Sequence, residues 1–537
     1  MPRSKARESM SLFRLPTDYV ARSEPCYFDD SPFFDSAIVH QPEIYEAADY
    51  FLQAGGRTRI LDIGCGNGRK LRQVRARDHV GVDFGANIAL CRQRFGAWGT
   101  WLEADFSQRH CAAIAAFADA STVVVCADVV EHLLDPAPLL NLLAQCYRRG
   151  AIVITSTPDR LKVRGAADRG PPANPAHVRE WALEEYVAYL DACGMPATYA
   201  GHTINNNIAR ALRTIVTVHD IGIDRARASL AQSSAARPQQ RPLAILAAYN
   251  EADVIAEVVE DLIAQGCDVA AIDNWSTDAT WPILNRLAAR HGAHVRIERF
   301  PEDGPARHYE WRRILRRKAQ IAHGFPGRWM LHTDADELRR SPFPGLDLAS
   351  ALHVAAQAGA NRVASNLIHF RPTDTRPFHP GTLQTAFNHF EFGTRLGHFK
   401  QVKAWLQGAA LVDLASSGGH VAAFPGAVDF PYRFLLRHYP IRSAAHGQRK
   451  ILAERRNRWC PDERALGWHT QYDGFCETTP GFWPSRDLLK FDGDFWRDYG
   501  LPLITDIAER RWANRSLATG GSLGLAPAHS HADAAAS

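Results

Sequence analysis

The feature that most restricts what this chain can become is residues 59–68, RILDIGCGNG. A short apolar strand carrying Ile60, Leu61 and Ile63 runs directly into three glycines, Gly64, Gly66 and Gly68. Glycines at that spacing let backbone N–H groups turn tightly and approach a ligand. Arg69, Lys70 and Leu71 are expected to open a helix whose N-terminus stands behind the loop. Further apolar segments follow at 79–82, 100–102, 122–127 and 151–155, separated by helical stretches. That alternation predicts a doubly wound α/β sheet, in which ligands sit at the carboxyl ends of the strands. Asp62, Asp83, Asp105 and Asp128 all fall at such ends. Asp83 lies 21 residues beyond Asp62, about where such folds place an acid on ribose hydroxyls.

The series LDIGCGNG, VGVDF, EADF, CADVVEHL and STP resembles the class I S-adenosylmethionine-dependent methyltransferases over roughly residues 40–220. A dinucleotide enzyme is expected to carry G-x-G-x-x-G, and this loop has G-x-G-x-G. The resemblance implies S-adenosylmethionine as cofactor, held in the loop that follows Asp62. It implies Gly64, Gly66 and Gly68 under the methionine part, Asp83 on the ribose, Asp105 near the adenine amine and Asp128 near the methionine end. It also implies that 197–204 and 214–219 form a closing antiparallel pair. Methyl transfer to oxygen is helped by a base near the acceptor hydroxyl, although positioning alone serves many such enzymes. His132, just after the fourth strand, is the candidate base; the plainer alternative is a histidine that caps or packs a helix start. His177 and Arg179, in a proline-rich stretch, either line the acceptor site or belong to a loop held by ordinary packing.

At 537 residues the chain is too long for one core, so at least two domains are expected. Residues 222–241 lose strand character and gather Ala, Ser, Gln and Arg, as an interdomain linker does. Beyond it the strands resume. Residues 243–248 end in Tyr249, Asn250 and Glu251; 269–272 end in Asp273; and 328–331 precede Asp334, Asp336 and Glu337. Two carboxylates at i and i+2 after a strand suit a divalent cation, Mg²⁺ or Mn²⁺, that keeps open positions for diphosphate oxygens.

AAYNEAD, IDNWSTDAT and WMLHTDADE resemble family 2-like glycosyltransferases of the GT-A fold. The resemblance implies a nucleotide-sugar donor touching Asn250, Glu251, Asp273 and Asp334, with Asp336 on the metal and central to catalysis. RHYPIRS resembles a subset of GT-A enzymes in which a late histidine returns to the metal. By that analogy His438 joins Asp334 and Asp336 as third ligand, while Arg442 and Lys450 contact the diphosphate. Arg317 and Lys318 either add charge near the phosphates or form a solvated basic face. The usual Glu-Asp pair that supplies the acceptor base is missing, which leaves the base unassigned, with Asp413 and Glu337 as candidates and His420 as an acceptor contact. The family implies, in addition, inversion at the anomeric carbon. The late aromatics, Trp459, Trp468, Tyr472, Phe475, Trp483, Phe491 and Trp496, fill a core or stack on sugars.

The domain plan is thus an extension at 1–40, a methyltransferase at 41–221, the linker at 222–241, a glycosyltransferase at 242–440 with an aromatic-rich extension at 441–516, and a disordered tail at 517–537. A net charge of +4 with no basic stripe argues against a nucleic-acid partner. The ten scattered cysteines form no metal-spaced cluster and point to a reducing compartment. No signal peptide and no run of 18 apolar residues is evident, so the expectation is a cytoplasmic protein without a transmembrane segment. The leading expectation is a bifunctional transferase that glycosylates and methylates a cell-surface saccharide or glycoconjugate. The rivals are a glycosyltransferase whose first half is a non-catalytic binding module, and a methyltransferase for small aromatic or lipid hydroxyls.

Overall fold

The computed structural model describes residues 13–24, 27–107, 109–232, 240–393 and 398–512. The expected tail at 517–537 and part of the linker lie outside these. The chain divides into two compact units, one of residues 1–231 with 494–507, the other of residues 232–493 with 508–537.

The first unit is built on seven strands: β1 (Arg59–Ile63), β2 (Asp78–Asp83), β3 (Thr100–Glu103), β4 (Thr122–Ala127), β5 (Ile152–Pro158), β6 (Tyr199–Ile204) and β7 (Leu212–Asp220). Their order is β3-β2-β1-β4-β5-β7-β6, and β7 runs antiparallel to both neighbours. β4 is buried at every position, as its unbroken apolar run requires of a central parallel strand. Helices Pro42–Ala54 and Ala137–Arg148 bury apolar faces beside the sheet, with Leu139, Leu140, Leu142 and Leu143 in its core.

Two expectations are corrected here. After Gly68 no α-helix forms, only a 3₁₀ turn at Leu71–Gln73. β2 then starts at Asp78, with nine residues between it and Gly68. Residues 494–507, expected to extend the second domain, belong to the first. The helix Phe495–Ile504 lies on β6, where the Tyr199 hydroxyl donates to the carbonyl of Arg497 (3.2 Å) and His202 bridges Asp159 (2.8 Å) and Asp498 (3.1 Å). Gly201 makes the contact possible, because a Cβ there would stand 2.4 Å from the Arg497 carbonyl oxygen. The first part of the expected linker is helical, within Ile221–Gln232.

The second unit carries ten strands: β8 (Leu243–Ala248), β9 (Asp268–Asp273), β10 (Val295–Arg299), β11 (Trp329–Asp334), β12 (Glu337–Arg340), β13 (Arg362–Phe370), β14 (His389–Phe392), β15 (Lys400–Leu406), β16 (Phe434–His438) and β17 (Leu489–Lys490). The main path is β10-β9-β8-β11-β15-β13-β14-β17, and β16 pairs with β12 and β13. β8 to β11 are parallel, while β15 runs antiparallel to β11 and β13. Among the described residues no helix is long and apolar enough to cross a membrane.

Candidate functional sites

In the first unit the glycine loop is a cradle. Gly64 has φ +81°, and a Cβ there would meet Val129 Cγ2 at 2.3 Å, so only glycine leaves this space open. The Gly66 N–H donates to Asp83 Oδ2 (2.8 Å), and Asp83 Oδ1 accepts from the Phe84 N–H (2.8 Å), which fixes the loop against the end of β2. Asp30, which the sequence did not single out, closes the other side by accepting from the Asn67 N–H (3.3 Å). Asp62 is fully buried under the loop, with the Tyr45 hydroxyl donating to it (3.1 Å). Asp105 is half-buried and accepts from the Ser107 N–H (2.9 Å). Asp128 holds φ +54° and accepts from Ser156 Oγ (2.5 Å) and from the Gln41 amide.

Burial raises the pKa of these carboxyls: Asp62 to about 7, Asp83 to about 6, and Asp128 also upward. Glu131, buried beside Asp128, is pushed well above the carboxylate range, and its Oε1 has no hydrogen-bond partner. A backbone cradle ringed by under-compensated acids fits a ligand that brings a main-chain-sized amino acid group and positive charge, as S-adenosylmethionine does.

His132 ends the turn after β4. Its Nδ1–H donates to the Ala176 carbonyl (3.0 Å), which leaves Nε2 as the acceptor nitrogen. Burial, with His177 next, lowers its pKa to about 4. The two rings meet edge to face at 4.9 Å. Glu131, His132 and His177 each bring a ligand atom within 4.8 Å of the others. Arg179 does not face this site: it donates to the carbonyls of Leu133 (2.9 Å) and Leu134 (2.8 Å) and lies over the Phe13 ring.

The second unit holds a cavity of about 650 Å³, lined by residues from the ends of β8 and β11, from β12 to β16, and from the late loops. Asp334, Asp336, Glu337, Glu251 and His438 all line it. Buried cations hold the acids. Lys403 Nζ reaches Asp334 (2.9 Å) and Glu337 (2.7 Å), and Lys450 Nζ reaches Asp336 (2.8 Å) and Glu251 (2.9 Å). Burial alone would raise these carboxyls, yet the lysines and arginines carry Glu251, Asp334 and Asp336 below the usual range.

Asp336 Oδ1 faces His438 Nε2 at 3.7 Å, too far for a hydrogen bond. The proton pattern follows from the neighbours. His369 Nε2–H donates to the His398 carbonyl (3.3 Å), so its Nδ1 accepts from His438 Nδ1–H (2.9 Å). His438 therefore points a lone pair at a carboxylate oxygen, and burial lowers its pKa to about 4, which keeps the ring neutral. Two acceptors facing across that gap fit a divalent cation bound by one oxygen and one nitrogen. Asp334, expected as a ligand, is instead drawn to Lys403. Glu251, Asp253 and His446 also bring ligand atoms within 4.8 Å, but Arg442 already donates to Glu251 (2.6 Å) and Asp253 (2.8 Å) there.

Several expected donor contacts turn inward. Asn250 accepts from the Thr277 N–H (2.8 Å), Asp273 is fully buried under Ser276, and neither lines the cavity. Arg442 and Lys450 are ion-paired and buried. Arg455, missed in the sequence, lines the cavity and reaches Glu251 (3.2 Å). Arg317 pairs with Glu298 (2.7 Å), whereas Lys318 is buried and donates to His332 Nδ1 (2.9 Å). Asp413 caps its own loop through the N–H groups of Ala415 (2.8 Å) and Ser416 (3.0 Å), outside the cavity. Of the late aromatics, Trp468 and Tyr472 line the cavity and Phe475 packs with Ile441 and Ile451. Asp273 and Asp413 bond to N–H groups two or three residues on, whereas the pairings of Arg442, Lys450 and Arg455 with Glu251 span about two hundred residues and no local pattern marks them.

Comparison with known proteins finds a family match in each half. Residues 40–206 match the family described as a methyltransferase domain, and residues 244–310 match glycosyl transferase family 2. A probable S-adenosylmethionine-dependent methyltransferase of Mycolicibacterium smegmatis is 31% identical over 139 residues, 25% of this chain and 51% of that protein. A ubiquinone biosynthesis O-methyltransferase of Stutzerimonas stutzeri is 28% identical over 158 residues, 26% of this chain and 67% of that protein. The match thus spans about half of the mycobacterial relative. A solved S-adenosylmethionine-dependent methyltransferase from Aquifex aeolicus superposes with a TM-score of 0.26 at 14% identity, over 36% of this chain and 98% of that one. One chain thus carries a methyltransferase-domain match over residues 40–206 and a glycosyl transferase family 2 match over residues 244–310, as a transferase with two domains does.

Proposed function

We propose that both domains turn over: the first moves a methyl group from S-adenosylmethionine to a hydroxyl oxygen, the second moves a sugar from a nucleotide donor, and both act on a saccharide or glycoconjugate. The observation that carries the second activity is the Asp336–His438 gap beside a wall of buried lysines and arginines. In this reading Asp336 and His438 hold Mg²⁺ or Mn²⁺, which as a Lewis acid would offset charge on the departing diphosphate. Lys403 and Arg455 add fixed positive charge along the cavity, and Glu251, Lys450 and Arg442 keep that wall in place. For the first activity, the loop from Gly64 to Gly68 and Asp83 hold the cofactor, Asp105 and Asp128 flank it, and His132 Nε2 accepts the hydroxyl proton. The O-methyltransferase relative supports oxygen as the methyl acceptor. A cytoplasmic site of action is supported by the two small donors and by the eight described cysteines, all unpaired. Joining the sites raises the local concentration of a shared substrate.

The test is a thermal-shift panel with S-adenosylhomocysteine and with UDP, GDP or dTDP, each with and without Mn²⁺. A ligand present at a hundred times its dissociation constant adds about 2.7 kcal/mol. Asp336→Ala is expected to abolish the Mn²⁺-dependent nucleotide shift and spare the S-adenosylhomocysteine shift, while Asp83→Ala does the reverse. Equal loss of both shifts in both variants would sink the two-site reading.

A further inference from the structure

Four chemistry-bearing residues stand in one row across four neighbouring strands. Glu337 of β12 pairs with His438 of β16, His438 with His369 of β13, and His369 with Glu391 of β14. Directly paired residues share a face of the sheet, and all four line the cavity. From this row we infer that Glu391 is the general base of the glycosyl-transfer site, an assignment that rests on the glycosyl-transfer reading above.

The other candidates are spent. Glu337 has both oxygens engaged, Oε1 by Lys403 (2.7 Å) and Oε2 by the Asp334 N–H (3.2 Å). Glu251, Asp334 and Asp336 each carry a buried lysine. His369 donates from one nitrogen and accepts at the other. His420 Nδ1 accepts from Gln401 Nε2 (3.3 Å), which puts the ring proton on Nε2 and makes that nitrogen a donor. Glu391 differs from all of these. Arg371 contacts it twice, through Nε (2.7 Å) and Nη2 (2.7 Å), and both contacts fall on Oε1. The fork orients the carboxylate and leaves Oε2 to the cavity.

The spacing suits an in-line displacement. Adjacent strands lie about 4.8 Å apart, so the backbone positions of His438 and Glu391 are roughly 10 Å apart. A leaving diphosphate oxygen held beside His438 and a base oxygen beyond the anomeric carbon are separated by one bond, a near-attack gap of about 3–3.5 Å and one hydrogen bond. That comes to roughly 8 Å, within reach of the Glu391 side chain. In the step, Glu391 Oε2 takes the acceptor O–H proton, and the oxygen pair freed forms the new bond to the anomeric carbon. The bond from that carbon to the diphosphate oxygen breaks, its electron pair leaves with the diphosphate, and Glu391 returns the proton to solvent. Attack from the side opposite the diphosphate inverts the anomeric centre.

The experiment uses water as acceptor. Full-length wild type, Glu391→Gln and Glu391→Asp are incubated with UDP-, GDP- and dTDP-sugars and Mn²⁺, and release of nucleoside diphosphate is followed against pH. Glu391→Gln is expected to lower kcat by about 10²–10⁴-fold, with KM and the UDP- or GDP-induced melting shift unchanged. If wild-type kcat rises with pH, that rise should vanish in the Gln variant and survive, at lower amplitude, in Glu391→Asp. A Gln variant that cleaves donor as fast as wild type, or whose loss lies in KM or in melting temperature alone, overturns the assignment. If wild type neither cleaves a donor nor gains stability from any nucleoside diphosphate, the glycosyl-transfer reading falls first and Glu391 with it.

Discussion

Both halves of the chain place carboxylates at the ends of parallel strands, yet three acids of the second, Glu251, Asp334 and Asp336, have electrostatics opposite to those of the first, while burial keeps Asp273 and Glu337 raised. In the first unit, burial drives Asp62, Asp83, Asp128 and Glu131 upward, because few cations stand near enough to offset desolvation. In the second, buried Glu251 and Asp336 and partly exposed Asp334 are driven down by Lys450, Arg442, Arg455 and Lys403. The difference matches the ligands each family uses. A sulfonium cofactor arrives with the positive charge that an acidic pocket lacks. A nucleoside diphosphate arrives with negative charge, which a pocket must meet with cations already in place. The same strand-end geometry thus serves two ligand charges, and side chains far off in sequence decide which.

The largest way to break this contrast is to remove one of the buried cations. Lys450→Met leaves Asp336 and Glu251 without the ammonium that bridges them (2.8 and 2.9 Å). Stranding a buried charge costs about 3–5 kcal/mol, so a large fall in urea or thermal stability of the glycosyltransferase unit is expected. The S-adenosylhomocysteine-induced shift should stay. A variant as stable as wild type would mean that the second site does not depend on internal cations.

That lysine also shows where sequence reading stops. The strand ends were legible because an unbroken apolar run such as residues 122–127 followed by an acid admits few alternatives, and the glycine spacing at 64–68 points to a close backbone approach. Lys450 lies 114 residues from Asp336, and nothing local in QRK announces the pairing. The helix Phe495–Ile504 is the same case at larger scale. Its apolar residues required burial somewhere, but only the bare backbone at Gly201 and the Asp159–His202–Asp498 bridge identify β6 as the partner. Glu391 was invisible because strand register, not spacing, sets it opposite His369.

A middle-sized test compares two ligands that differ by one charge. Asp62 and Asp83, with pKa values of about 7 and about 6, are largely protonated at pH 5.5 and largely ionised at pH 7.5. Because these acids are raised in the folded state, their share of apo stability is fully present below the ordinary Asp range and is lost as pH rises through about 6–7. A cationic ligand favours the ionised forms, so binding of S-adenosylmethionine should strengthen over the same interval. S-adenosylhomocysteine, lacking the sulfonium charge, should gain less. Calorimetric titration of both at pH 5.5 and 7.5 checks this, and an affinity ratio independent of pH would contradict the charge account.

The smallest expected effect separates a loop tie from a ligand contact. Asn250 has φ +55° and sits at the end of β8, beside Glu251, where the family resemblance implies a donor contact. Its amide is already used, accepting from the Thr277 N–H (2.8 Å) and donating to Thr277 Oγ1 (3.2 Å), so that the β8 and β9 loops are joined side by side. Asn250→Ala removes those bonds and should cost about 1 kcal/mol each in stability, with a further penalty because alanine tolerates the left-handed backbone less well. Asn250→Gly relieves that second part and should recover some of the loss. Neither change should weaken nucleoside diphosphate binding measured at a temperature where both variants are folded. If binding instead falls tenfold or more in both, Asn250 touches the donor, and the inward-facing carboxylate of Asp273 must open with it when the nucleotide enters.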